Sequence, residues 1–253
     1  MNSDIKKFKT FAEFWSEFLQ VTFHLNSPER WTFREKKAKW LIEQTGLKSP
    51  SKILDLGCGD GILDIWLSRM GHQLTSVDRV QSVLDRAEKQ DNTQRVDFIC
   101  KDLTRLDFPQ SNFDLVFIIE TLGLMSKSED KKILENSFRW LNSGKFIVID
   151  MPLEIAPVNN WQKEITTGKV SCESSFDSTT RIQKIDFVYH ENNGEPFGIY
   201  DPYDKSKFDG RGIVRCIYPK SELIGMLTQI GFQVAEIPHY YDNGYFGLRG
   251  IKP

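Results

Sequence analysis

Hydrophobic positions recur at two different spacings along the 253-residue chain, and the change of spacing divides it. Near the start, Ile5, Phe8, Phe11, Ala12, Trp15, Phe18 and Leu19 recur at helical spacing, predicting an amphipathic helix over residues 5–21 whose apolar face must dock on another element. Asn26-Ser27-Pro28 interrupts that pattern, Pro28 suits a first helical turn, and residues 31–46 read as a second helix stopped by Gly46. From there short apolar runs alternate with helical ones. Strands are expected at 53–56, 73–77, 96–100, 115–119 and 146–150, with helices at 62–70, 80–89 and 129–141. Strands separated by helices at this rhythm imply parallel pairing, with helices on both faces of the sheet.

Beyond Asp150 the rhythm changes. Strand-like runs at 181–189 and 212–218 are separated by Asn192-Asn193-Gly194 and by a stretch rich in Pro, Asp and Gly at 196–210, the pattern of an antiparallel insertion. Pro219-Lys220-Ser221-Glu222 then opens a helix that runs to Ile230 and stops at Gly231. Strands at 232–237 and 245–251 flank the turn Asp242-Asn243-Gly244.

Composition narrows the classes. With 40% hydrophobic and 27% charged residues, the chain is long enough to bury a full core without staples. The cysteines Cys58, Cys100, Cys172 and Cys216 show no C-x-x-C spacing, which argues against a zinc site or a disulfide framework and makes a reducing cytoplasm the expected compartment. No cluster of His, Cys and carboxylates implies a metal. The longest apolar run, 115–125, is short of a membrane span and carries Glu120. Lys6, Lys7, Lys9, Glu13 and Glu17 interrupt the N-terminal apolar residues, so no signal peptide is expected. A balance of 33 Lys+Arg against 35 Asp+Glu, net -2, argues against a duplex nucleic acid partner and for a small or neutral one.

The most informative stretch is Ile53-Leu54-Asp55-Leu56-Gly57-Cys58-Gly59-Asp60-Gly61, a strand running into a glycine-rich turn and then a helix. In an open α/β sheet this turn lies at the carboxyl edge, where ligands bind. Gly57 and Gly59 permit backbone conformations and close approach that a side chain would block. A dinucleotide fingerprint would place its third glycine at position 62, which is Ile62, so a nicotinamide dehydrogenase is disfavoured. The next strand ends at Val77-Asp78, where a carboxylate could take ribose hydroxyls or, alternatively, cap the helix ahead of Val80.

These residues resemble the class I S-adenosylmethionine-dependent methyltransferases. Asp55, Gly57, Gly59 and Gly61 match the family's D-x-G-x-G-x-G motif. Asp78 matches its acidic residue ending the second strand, Cys100-Lys101-Asp102-Leu103 its adenine-bracketing segment, and Phe113-Asp114-Leu115-Val116 its fourth-strand motif. Leu141-Asn142-Ser143-Gly144-Lys145 is similar to the turn before the fifth strand, with Ser143 and Lys145 departing from its Pro and second Gly. The resemblance implies a Rossmann-like α/β fold: a seven-stranded, mostly parallel sheet with helices on both faces. It divides the chain into an N-terminal helical cover (1–46), a cofactor domain (47–167 and 218–253) and an antiparallel β insertion over the substrate opening (168–217).

It also implies S-adenosyl-L-methionine as cofactor and assigns roles. Gly57, Cys58 and Gly59 would face the methionine and ribose portion, and Asp55 would hold the loop or the cofactor's ammonium. Asp78 would take the ribose; Lys101 and Asp102 would lie at the adenine, with Leu103 and Arg79 over the ring faces. Ile119 and Glu120 would wall the methyl group, with Glu120 also the candidate catalytic residue, since it interrupts an apolar run at the sheet edge. His24, Arg215 and Tyr218 are candidates for contact with the acceptor, and Trp31, Phe33, Trp161, Tyr189, Phe197, Tyr200 and Tyr203 for an aromatic lining or for core packing. The expected activity is methylation of a nitrogen or oxygen on a small molecule. A tRNA or protein side-chain methyltransferase, and a noncatalytic cofactor-binding assembly factor, are the alternatives.

Overall fold

The computed structural model describes residues 27–152, 161–165, 168–189, 212–239 and 244–253. The segment 5–21 with its expected amphipathic helix, His24, and Phe197, Tyr200 and Tyr203 lie outside the described residues. Helix α1 (Pro28–Thr45) starts where Pro28 occupies the first turn and the Ser27 side chain accepts from Arg30 N–H at 3.2 Å. It ends where Gly46, at φ +61°, turns its N–H back to Ile42 O at 2.8 Å.

Strands β1 (Lys52–Leu56), β2 (Gln73–Asp78) and β3 (Val96–Cys100) alternate with helices α2 (Ile62–Arg69) and α3 (Gln81–Gln90). A short 3-10 turn (Leu103–Arg105) leads to β4 (Phe113–Ile119), then α4 (Lys127–Trp140) and β5 (Leu141–Pro152). Strands β6 (Trp161–Ile165), β7 (Gly168–Asp177), β8 (Ile182–Tyr189) and β9 (Gly212–Cys216) precede helix α5 (Lys220–Ile230) and the last strands, β10 (Gln233–Ile237) and β11 (Tyr245–Ile251). The main sheet has seven strands in the order β10-β11-β5-β4-β1-β2-β3. Its pairs β1–β2, β2–β3, β1–β4 and β4–β5 are parallel, and β11 runs antiparallel to both β5 and β10. The mostly parallel α/β architecture expected from the sequence is therefore the one observed.

Both faces of this sheet are packed, which explains why its strands read as continuous apolar runs. Ile53, Leu115, Phe117 and Val148 point to one face, with Ala38 and Leu41 of α1 and Leu63 and Leu67 of α2. Their chain neighbours Leu54, Val116, Ile118, Ile147 and Ile149 point to the other, with Ile133 and Leu134 of α4 and Leu223 and Leu227 of α5. Trp31 docks edge-on against Trp66 at 6.1 Å, with the Arg69 guanidinium over both rings, fastening α1 to α2.

Two details differ from the sequence pattern. The second, antiparallel sheet has the order β6-β7-β8-β9 and so takes in Trp161–Ile165, ahead of residue 168 where the pattern places the start of the insertion. These residues pair with the next strand, β7, Ile165 lying opposite Gly168, and a strand defined by its pairing partner leaves little trace in local periodicity. The stretch Asn142–Lys145, read as a turn before the fifth strand, is an irregularity inside β5. Phe113 pairs with Leu141 and Leu115 already with Phe146, and Gly144 at φ +73° donates to Lys252 O at 2.7 Å.

One buried hydrogen bond ties the two sheets' connection to the core. The Tyr218 hydroxyl donates to Asp130 Oδ2 at 2.7 Å, and Gly123 N–H donates to the same oxygen at 2.9 Å. Burial pushes the Asp130 carboxyl up to about 7 despite these bonds. A carboxyl raised in the folded state keeps a proton that the unfolded chain has released. Its contribution is therefore complete below the unfolded value near 4 and is lost as pH rises to about 7. Asp130→Asn should flatten the fall of unfolding free energy across that window by up to about 1.4 kcal/mol per pH unit, measured by denaturant titration. Parallel pH profiles for the variant and the parent would refute it.

Candidate active site

The glycine-rich turn sits between the end of β1 and the start of α2, and each glycine answers to a different constraint. Gly57 has φ +94°, and a Cβ there would run into the Thr121 side chain. Gly61 has φ +66°, and a Cβ would meet Ala87 Cβ and the Phe98 ring, both at 2.7 Å. Gly59 has φ +54° and differs from both, because a Cβ there meets nothing within 4 Å. Gly57 and Gly61 are thus demanded by packing, while Gly59 borders open space.

The amides of this turn are committed to the protein. Gly57 and Cys58 N–H both donate to Val77 O, at 2.8 and 3.0 Å, and Gly61 N–H donates to Cys58 O at 3.1 Å. Gly59 N–H donates to Asp78 Oδ2 at 3.0 Å, and Val80 N–H donates to Asp78 Oδ1 at 3.0 Å. These four turn amides hold no spare donor for a pyrophosphate, which accords with the missing third glycine. Asp78 both anchors the turn and braces the entry to α3. A carboxylate has about four acceptor positions, so its two oxygens retain capacity for hydroxyl donors. Burial raises its pKa, opposed by the bonds from Val80, Gly59 and Arg79 N–H.

Behind the turn, Asp55 is buried beside Asp64, and burial together with Asp64 pushes it well above the usual carboxylate range. Asp64 is raised by burial to about 7, against the Ser76 hydroxyl donating at 2.7 Å. The sequence pattern offers Asp55 to the loop or to a ligand's ammonium; in the fold its carboxyl lies buried next to Asp64, beneath the turn. Cys58 is buried and burial pushes its thiol up. Arg79, after β2, and Lys101, after β3, are exposed. Asp102 Oδ1 accepts from Thr104 N–H and Oγ1, at 2.9 and 2.6 Å, while Leu103 packs into the core beside it.

The ends of β4 and β5 carry a second group of polar side chains. Glu120 lies at φ +55°, a left-handed conformation that costs a non-glycine residue about 1–2 kcal/mol, and its N–H donates to Asp150 O at 2.9 Å. Tyr245 OH approaches Glu120 Oε2 at 3.5 Å. Asp150 is fully buried, paired through Oδ2 with Lys37 Nζ at 2.8 Å and through Oδ1 with His239 Nε2 at 2.9 Å. Burial works to raise Asp150, yet the His239 bond and Lys37 hold it below the usual carboxylate range. Lys37 is lowered by its burial, with Asp150 and Glu120 opposing. Arg30, also on α1, pairs with Asp60 of the glycine-rich turn. Sequence reasoning passed over Lys37, Asp150 and His239. The signal available was an acid closing the apolar run 146–150, as Glu120 closes β4.

The acceptor candidates fare differently. Tyr218, offered by the sequence for contact with the acceptor, is instead 1% exposed in the core, with its hydroxyl donating to Asp130. Arg215 lies on β9 opposite β8 and donates through Nε to Gln183 Oε1 at 2.7 Å. Among the described residues no helix is long and apolar enough to cross a membrane, and no group of His, Cys and carboxylates is arranged to hold a metal.

Three comparisons bear on this site. A family described as methyltransferase domain matches residues 53–144, which span the glycine-rich turn, Asp78, Asp102 and Glu120. A methyltransferase-named protein of Geobacillus sp. (strain WCH70) is 27% identical over 210 residues, covering 81% of this chain and 82% of that protein. The crystal structure of an S-adenosylmethionine-dependent methyltransferase from Clostridium acetobutylicum shares the fold with a TM-score of 0.68 at 16% identity, over 95% of this chain and 98% of that one. An S-adenosylmethionine-bound amino pentose methyltransferase from Micromonospora echinaspora superposes with a TM-score of 0.64 at 13% identity, over 88% and 92% of the two chains.

The two glycines should separate by experiment. Gly57→Ala and Gly59→Ala share the cost of a positive φ, but only the former adds overlap with Thr121. Gly57→Ala should therefore be less stable than Gly59→Ala by at least about 1 kcal/mol in chemical denaturation, the low end of what overpacking costs. Equal stabilities would show that Thr121 yields freely.

Proposed function

Since the chain belongs to the class I S-adenosylmethionine-dependent methyltransferases, we propose that it transfers a methyl group to a nitrogen or oxygen of a small molecule. The cofactor, when bound, supplies an electrophilic methyl on a sulfonium. The chain's own residues must hold it, align an acceptor and keep water out. The observation that carries the reading is the separation of two polar groups along one sheet edge. Asp78, Asp102 and the open face at Gly59 lie at the ends of β1, β2 and β3; Glu120, Asp150 and His239 lie over β4, β5 and β10.

The first set fits the cofactor. Open space at Gly59 gives it room, Asp78 can accept ribose hydroxyls while still holding Gly59, and Asp102 sits at the end of the neighbouring strand for the adenine. Glu120, at the junction of the two sets, is placed to orient the acceptor beside the methyl group. Its strained backbone is the kind retained where a side chain must be aimed. Helix α1, tied to the turn by Arg30–Asp60 and to β5 by Lys37–Asp150, and the antiparallel sheet would cover the opening to a small molecule. A chain of net charge -2 lacks the overall basic character that RNA methylation favours.

Calorimetry should show binding of both S-adenosylmethionine and S-adenosylhomocysteine, and Asp78→Ala should weaken each by about 1.5–3 kcal/mol, the value of hydrogen bonds to a charged group. Binding of a nicotinamide dinucleotide in their place would reject the reading. With an acceptor drawn from a small-molecule methylation screen, Glu120→Gln should lower turnover by about 10- to 100-fold while leaving cofactor affinity near that of the parent. Unchanged turnover at saturating cofactor and acceptor would remove Glu120 from the reacting centre.

A further inference from the structure

The residues that follow β4 touch three separate parts of the molecule. Glu120, at φ +55°, donates its N–H to Asp150 O of β5 at 2.9 Å. Thr121 lies so close to the glycine-rich turn that its side chain fills the place of a Cβ at Gly57, while its hydroxyl donates to Ile119 O at 3.0 Å. Leu122 is buried in the core on the α4 side of the sheet. Gly123, at φ +87°, meets the antiparallel sheet: Cys216 N–H, at the end of β9, donates to Gly123 O at 2.9 Å, and a Cβ at Gly123 would run into Cys216 O. The turn and the antiparallel sheet are thus joined by residues 120–123, with left-handed backbone at Glu120 and Gly123 and close contacts at Thr121 and Gly123. Packed contacts are poorly compressible, so such a segment passes a displacement on instead of absorbing it.

One carboxyl of α4 holds this loop. Ser126 starts the helix with a capping box, its hydroxyl accepting from Glu129 N–H at 3.4 Å and its N–H donating to Glu129 Oε2 at 3.1 Å, which sets Asp130 in the first turn, fully buried. Asp130 Oδ2 accepts from Gly123 N–H at 2.9 Å and from the Tyr218 hydroxyl at 2.7 Å. Among the described residues Oδ1 has no hydrogen-bond partner, so both bonds converge on one atom that joins the loop to the chain leaving β9. The same exit is tied to the β7–β8 hairpin, Ile217 N–H donating to Arg181 O at 2.9 Å and Arg181 Nε to Ile217 O at 3.2 Å. The bond from Tyr218 alone would fasten the antiparallel sheet to α4. The bond from Gly123 to the same oxygen fastens it to the loop that carries Glu120.

We propose that residues 120–123 are a strut that sets the antiparallel sheet against the glycine-rich turn, and that Asp130 is the positioning residue of that strut; this rests on the function proposed above. A cofactor seated at Gly59 bears on the turn and so on Thr121, and Gly123 carries that constraint to Cys216 and the sheet proposed as cover. Glu120 rides on the same loop. The carboxylate that orients the acceptor and the sheet that encloses it are therefore set together when the cofactor binds. Asp130 takes no part in the transfer of the methyl group; it makes loop and sheet move as one body.

The test is hydrogen exchange followed by mass spectrometry on the full chain, with and without saturating S-adenosylhomocysteine as the probe ligand. In the parent, the ligand should slow exchange at residues 57–61 and also at 212–218, the latter by about threefold or more, because segments that open together are protected together. Asp130→Ala should keep the ligand effect at 57–61 and lose it at 212–218. Asp130→Asn, whose side-chain oxygen still accepts from Gly123 and Tyr218, should restore it. A residue that only stabilised the fold would raise exchange at 212–218 with and without ligand alike and leave the ligand effect in place; that result with Asp130→Ala overturns the assignment. If Asp130→Ala does not fold, Tyr218→Phe decides, since it removes only the hydroxyl: it should shrink the ligand effect at 212–218, and an effect equal to the parent's overturns the strut. Ligand that protects 57–61 in the parent but leaves 212–218 unchanged refutes the strut alone. Failure of the parent to bind S-adenosylhomocysteine would instead refute the functional reading and the inference with it.

Discussion

A parallel sheet packed on both faces leaves its polar side chains only two options, and this constraint organises the molecule. A carboxyl on such a strand must sit at an end or find a partner inside. Asp78 and Glu120 take the first option, at the carboxyl ends of β2 and β4; Asp55 takes the second, buried beside Asp64 beneath the glycine-rich turn; and Asp150, near the end of β5 and fully buried with Lys37 and His239, combines the two. Parallel strands all present the same end on one edge, so the polar groups collect there without any loop having to bring them together. Chemistry at this edge is a consequence of the same alternation that fills the core.

The two halves of the edge are built by different means. At the ends of β1 and β2 backbone amides make the arrangement: Val77 O collects two amides of the glycine-rich turn and Asp78 collects a third. At the ends of β4 and β5 long-range ionic contacts do it. The Lys37–Asp150 pair is fully buried, and removing one partner of such a pair typically costs about 3–5 kcal/mol because the other charge remains desolvated. Helix α1 is committed to this arrangement through Lys37, to the turn through Arg30 and Asp60, and to α2 through Trp31 and Trp66. Its placement therefore joins both halves of the edge.

Much of the fold was legible because its elements are locally encoded. The apolar runs at 53–56, 96–100 and 115–119 match strands β1, β3 and β4 closely, and Pro28, Gly46 and Gly231 mark real helix ends. The glycine-rich turn and the carboxylate after it were legible for the same reason: Asp55, Gly57, Gly59 and Gly61 lie within one strand and turn, and Asp78 ends the next strand. Strand β7 was not, since Gly168–Asp177 is mostly small and polar residues and gains its identity by pairing with β8. Tyr218 misled because its place just before α5 near the carboxyl edge says nothing of where its hydroxyl goes; only the approach of α4 reveals Asp130 as its partner.

The sequence by itself determined the alternation of strands and helices, the turn that Gly57, Gly59 and Gly61 require, and the order in which the carboxylates arrive at the sheet edge. Those properties depend on spacing within a few residues, which side-chain periodicity and backbone sterics control. Tertiary structure alone decided that Lys37, Asp150 and His239 would meet, because that contact joins three elements far apart in the chain and depends on β11 lying between β5 and β10. Periodicity tells which face of a strand is buried but not which strand lies beside it. An ion pair formed across such neighbours is invisible until the order of the sheet is known.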